Sequence, residues 1–124
     1  MTFTRLLAVL AVLSAVTVGA GTASAATTQE CQAQLSQLRA DTVAAQSSFV
    51  NAKDFNGAVG KLDAAAVKLG AGKNADAAAK LMDFQNLLTA LATAPKPKVD
   101  PAVATTLHNE AEGVIDCING IGAG

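Results

Sequence analysis

The sequence predicts an all-α protein: a small antiparallel four-helix up-down bundle closed by one disulfide. Three observations carry this. Ala and Leu are the commonest residues, and no run alternates β-branched residues as a strand would. Four stretches space their apolar residues three and four apart, with short connectors between them. Two cysteines, Cys31 and Cys117, stand near the two ends of the helical part.

The first 25 residues read as a secretory signal peptide rather than as part of the fold. Arg5 supplies the positive n-region, Leu6 to Val18 the apolar h-region, and Ala23-Ser24-Ala25 the small-residue cleavage site. The apolar run is short of the roughly 20 residues that a membrane-spanning helix needs, so a retained anchor is the lesser reading. Cleavage after Ala25 leaves one domain, residues 26–124, with no further membrane segment. That part holds 22 Ala but only 23 Val, Ile, Leu, Met and Phe, a lean supply of large side chains. Small domains of this kind are marginal, and covalent help is expected.

The first helix is expected from about Thr28 to Val50, with Cys31, Leu35, Leu38, Ala45 and Phe49 inward and Glu30 suiting the positive end of its dipole. Asn51 to Gly57 is rich in turn formers and reads as a connector. The second helix follows from Ala58 to Leu69, with Val59, Leu62, Ala66 and Leu69 on one face and Gly70 and Gly72 ending it. Asn74 is the expected cap of the third helix, whose stripe is Ala77, Leu81, Phe84, Leu88 and Leu91. Asp76 and Lys80 are spaced for an ion pair on that helix. Pro95-Lys96-Pro97-Lys98 breaks it as a short stiff linker. Asp100-Pro101 is the strongest helix start in the chain, an N-cap followed by an N1 proline. The fourth helix then turns Val103, Leu107, Ala111, Val114 and Ile118 inward and frays into Gly120, Gly122 and Gly124.

Export would place Cys31 and Cys117 where disulfides persist, and two cysteines allow one intramolecular pairing. Free thiols or an intermolecular bridge are the alternatives. Four antiparallel helices bring the start of the first and the end of the fourth to the same end of the bundle. Three helices would leave the cysteines about 20–30 Å apart. The bridge and the helix count therefore support each other.

Residues Lys61 to Leu88 read KLDAAAVKLGAGKNADAAAKLMDFQNLL. In Lys61-Leu62-Asp63, Leu69, Gly72, Ala77-Ala78, Leu81, Phe84 and Leu88, this stretch resembles the FIMAH domain, a small helical domain of bacterial mannosidases and other hydrolases. Lys98-Val99 and a following helix through Ala111 and Ile115 extend the resemblance, which spans about residues 56–118. It implies an extracellular, non-catalytic accessory module and carries over no catalytic residue. Such modules are usually appended to a hydrolase, whereas this one is expected to stand alone.

No enzyme is expected. There is one histidine, His108, which falls beside the inward stripe of its helix, and a metal or haem role would need partners, for which Met82 is the only soft candidate in residues 26–124. No Gly-x-Ser-x-Gly, P-loop, His-Glu-x-x-His or dinucleotide motif occurs. Glu110, Glu112 and Asp116 cluster on the fourth helix and read as a solvated face. Phe49 and Phe55 either close one end of the bundle or leave one ring exposed as a binding tip. With 9 basic and 10 acidic residues the chain lacks the basic face that nucleic acid requires.

The expectation is thus a secreted, monomeric, non-catalytic interaction or accessory module with no cofactor. Its partner would be an extracellular protein or a cell-wall or polysaccharide surface. A second expectation is a carrier of a small apolar ligand or haem, which would need a ligand-sized void between the alanine-rich helices. A third is an inhibitor of an extracellular enzyme, with Ala92 to Asp100 as its protruding loop.

Overall fold

A computed structural model describes residues 25–121 and contains helices α1 (Thr28–Ala44), α2 (Ala52–Gly70), α3 (Asn74–Thr93) and α4 (Pro101–Asn119), with a 3-10 turn at Gln46–Ser48. The expected leader up to residue 24 and the glycine tail from residue 122 lie outside the described residues. Each helix packs on its sequence neighbours, and α1 returns against α4, which closes the up-down-up-down ring. Cys31 at the start of α1 and Cys117 at the end of α4 form the expected disulfide, with Cα atoms 5.6 Å apart. No helix among the described residues is long and apolar enough to cross a membrane.

Local chemistry sets the boundaries, and it moves several of the expected ones. The cap of α1 is Thr27. Its hydroxyl accepts from the Glu30 backbone N–H at 3.1 Å, and the Glu30 carboxylate accepts from the Thr27 N–H at 2.9 Å. This reciprocal pair is a full capping box, one residue upstream of where the sequence reading starts the helix. The helix then stops at Ala44 instead of reaching Val50. Residues 49 and 99 form an isolated antiparallel bridge, and Val50 N–H donates to the Lys98 carbonyl at 2.9 Å, so this segment is extended.

The connector expected over Asn51 to Gly57 is mostly helix. Asn51 caps α2 by accepting from Asp54 N–H at 2.9 Å, so helical structure begins at Ala52. A side-chain cap followed by the buried anchor Phe55 outweighs the turn preference of Asn56-Gly57. The buried stripe of α2 is accordingly Phe55, Ala58, Leu62, Ala65 and Leu69, while Val59 and Ala66 sit on its edge. At the other end Gly72 adopts a φ of 79°, with Gly72 N–H donating to Leu69 O and Lys73 N–H to Lys68 O. That is a Schellman stop, which only glycine makes without strain. Asn74 does not cap α3. Lys73 holds the N-cap position without a side-chain bond, and Asn74 Oδ1 is buried without a partner. Asp100 caps α4 through Ala102 N–H at 2.9 Å, with Pro101 next, as expected.

The core runs through all four helices. Leu35, Leu38, Leu62, Leu69, Leu81, Phe84, Leu88 and Ile118 are fully buried, and Ala58, Ala65, Ala77 and Ala111 let the helices approach closely. On α4, Ala104 and Ile115 join the expected stripe, and Val103 lies half-buried at its edge. Phe49 and Phe55 stack edge to face at 5.5 Å, both buried, and so close the end of the bundle. Neither is a binding tip. The Asp76–Lys80 pair is not made. Among the described residues the ion pair is Arg39–Asp63, joining α1 to α2 at 2.6 Å on the surface.

Candidate functional site: the seam between the first and last helices

The two flanks of α4 have different partners. On one flank Gln85 of α3 donates from Nε2 to the His108 carbonyl at 3.1 Å and to Glu112 Oε1 at 2.9 Å. That flank is cross-linked to α3. The other flank faces α1, and there two cavities open along one seam. The first, about 310 Å³, lies near the C-terminal end of α1, between Asp41 and Ala45 on one side and Val103, Thr106 and Glu110 on the other. The second, about 600 Å³, lies near the disulfide, between Glu30 and Gln34 on α1 and Gly113, Asp116 and Cys117 on α4.

Helical spacing explains why these residues line up. On α1, positions 30, 34, 41 and 45 lie on the flank beside the core stripe Cys31, Leu35, Leu38 and Thr42. On α4, positions 103, 106, 110, 113 and 117 do the same beside Leu107, Ala111 and Val114. Small side chains at Ala45 and Gly113 leave the seam unfilled. A Cβ built on Gly113 meets nothing within 4 Å. Replacing this helical glycine by alanine is therefore expected to stabilise the protein by about 1 kcal/mol, read from a urea unfolding curve. A destabilised variant would show that the seam is closed there.

Asp41 and Glu110 meet across the seam. Gln37 Nε2 donates to Asp41 Oδ1 at 2.9 Å. Burial first, then a hydrogen bond to Asp41, then its charge push the Glu110 carboxyl up to about 8. A carboxyl whose folded pKa is raised contributes stability that is complete below its unfolded value, 4.5, and is lost as the pH rises through 8. Because the pair is only partly buried, water screening brings this to roughly 1 kcal/mol. Thermal melts at pH 5, just above the unfolded value, and at pH 9, about one unit above the folded one, are expected to show the higher midpoint at pH 5. Glu110→Gln keeps the hydrogen bond without the titration and is expected to remove the part of that difference due to Glu110.

The sequence reading treated Glu110, Glu112 and Asp116 as one solvated cluster. Glu112 and Asp116 are exposed as expected, the first accepting from Gln85 of α3 and the second beside the disulfide cavity, whereas Glu110 is half-buried and turned to α1. His108 is half-buried at the boundary of α4, and its backbone rather than its ring is engaged. The loop expected to protrude as an inhibitor is tied down. Val99 is buried, Lys98 N–H donates to Leu91 O at 2.8 Å, and Asp100 N–H donates to Ser48 O at 3.0 Å. The exposed residues of the loop are Thr93, 95–98 and Asp100. Asp41, Gln34 and Gly113 were not singled out from sequence, although their spacing on the helix flanks was the signal available. Compared with protein-family models, curated proteins and solved structures, the chain finds no match.

Proposed function

We propose that this protein is a secreted, non-catalytic helical interaction module that works on an extracellular partner. One observation carries the reading. The alanine faces inside the bundle pack fully buried, while cavities of about 310 and 600 Å³ lie outside them along the α1–α4 seam and one of about 240 Å³ opens between α3 and α4 beside Thr89 and His108. An internal carrier needs the reverse, a ligand-sized void among those alanines. A disulfide joining the two ends of the described fold suits a small domain in an oxidising compartment, as does the leader read in the sequence. The likeness of residues 56–118 to the helical domain of secreted hydrolases rests on the residues quoted for it. It directs the search for the partner to such enzymes and to cell-wall or polysaccharide surfaces.

Native mass spectrometry of the protein from its producer's culture supernatant tests the reading. The expected species is a chain beginning at Ala26, two hydrogens light, with nothing bound. A persistent additional mass of small-molecule size would overturn the module in favour of the carrier.

A further inference from the structure

We infer that the α1–α4 seam docks a basic amphipathic helix of the partner, with apolar side chains on the floor of the groove and Lys or Arg side chains reaching its two rims. This rests on the reading of the protein as an interaction module and names the chemistry of what it binds. The two cavities lie one after the other along the same flank of α1. From Glu30 to Ala45 the α1 rim runs for about 22 Å at 1.5 Å per residue, the length of a helix of about 15 residues. Its walls are mainly apolar, with Ala33, Ala45, Ala102, Val103 and Leu107 among the residues that line the two cavities.

Charge decides the occupant. Helices α1 and α4 together carry five carboxylates, Glu30, Asp41, Glu110, Glu112 and Asp116, and one cation, Arg39. Arg39 is turned the other way and held by Asp63 of α2. Glu30, Asp41 and Asp116 line the seam cavities beside Glu110, which burial and Asp41 hold protonated near neutral pH, and no Lys or Arg lines them. Helices α2 and α3 balance four lysines against four aspartates, so the acidic excess belongs to the α1–α4 half. An acidic-rimmed apolar groove favours a cationic amphipathic helix and repels an anionic one. A cation arriving beside Asp41 also favours the ionised form of Glu110, which then joins the rim.

The probe is a synthetic helix of about 15 residues, with Leu at i, i+3, i+4 and i+7 and Lys elsewhere, titrated into the disulfide-intact protein by calorimetry. A second peptide carries Glu in place of Lys. The Lys peptide is expected to bind one to one, and to be lost at about 1 M salt, where the Debye length is about 3 Å. The Glu peptide is expected not to bind. Asp41→Asn with Glu30→Gln, and separately Gly113→Leu, are each expected to weaken binding about tenfold. Glu112→Gln, on the opposite flank of α4, is expected to leave it unchanged. Far-UV circular dichroism establishes that each variant is folded.

Equal binding of both peptides, no binding of the Lys peptide, or binding indifferent to the seam variants would overturn the assignment. So would self-association of the protein that blocks the peptide. If the assignment fails while the supernatant protein carries no small molecule, the module reading survives and another face is its docking surface. A bound small molecule would remove both.

Discussion

Replacing Cys31 and Cys117 together by serine is expected to cost about 4 kcal/mol of stability. The bridge closes a loop whose ends are 86 residues apart in sequence, and most of its effect is to restrict the unfolded chain. For a domain of this size 1 kcal/mol moves the melting temperature by about 4–8 °C, so a fall on the order of 20 °C is expected. The native state supplies a second reason. The buried positions of α1 are Cys31, Leu35, Leu38 and Thr42, and the last of these is polar, its hydroxyl donating to the Leu38 carbonyl at 2.8 Å. Helix α3, by contrast, buries Leu81, Phe84, Leu88 and Leu91 among its seven core positions. The surface pair Arg39–Asp63 adds at most about 1 kcal/mol to hold α1 against α2. Once the disulfide is opened, α1 is therefore expected to be the first helix whose amides exchange with solvent, which hydrogen-exchange mass spectrometry reads directly. An unchanged melting temperature under reductant would contradict the staple.

Phe84→Ala is expected to destabilise the protein by about 3–5 kcal/mol, measured by urea denaturation. Phe84 has no exposed surface, stands midway along α3, and is the largest of the fully buried side chains. The described part of the chain has three phenylalanines and no Trp or Tyr, and the other two close the end of the bundle as an edge-to-face pair. Truncating Phe84 opens a void between alanine-rich faces whose side chains are too short to collapse into it. A near-neutral result would place Phe84 outside the core and undo the packing described for α3.

Much of this fold was legible in the sequence, and for identifiable reasons. The inward stripes of α3 and α4 follow from three-and-four spacing, and Asp100-Pro101 fixes the start of α4 and Gly72 the end of α2 by backbone chemistry that few other residues can supply. The disulfide and the helix count constrained each other. Errors fell where two local preferences compete. Asn56-Gly57 favours a turn, but the Asn51 cap and the buried Phe55 extend the helix through it. Asn74 could cap a helix, but the Schellman stop at Gly72 and Lys73 places it one position inside.

The candidate site was less legible. Its residues belong to helix flanks, and a flank acquires meaning only when a second helix is known to lie beside it. Glu110 and Glu112 are two apart in sequence, yet tertiary packing sends one to α1 and the other to α3. What the sequence did carry was the absence of Lys and Arg from the last helix, Pro101–Asn119.

We propose that this protein works through the seam between its first and last helices. The most direct test is amide chemical-shift mapping of the disulfide-intact protein with the Leu/Lys peptide. The expected changes lie along Glu30, Gln34 and Asp41 of α1 and Val103, Glu110 and Gly113 of α4, with Val67, Asp76 and Met82 unmoved. Changes centred on α2 and α3 would contradict the claim.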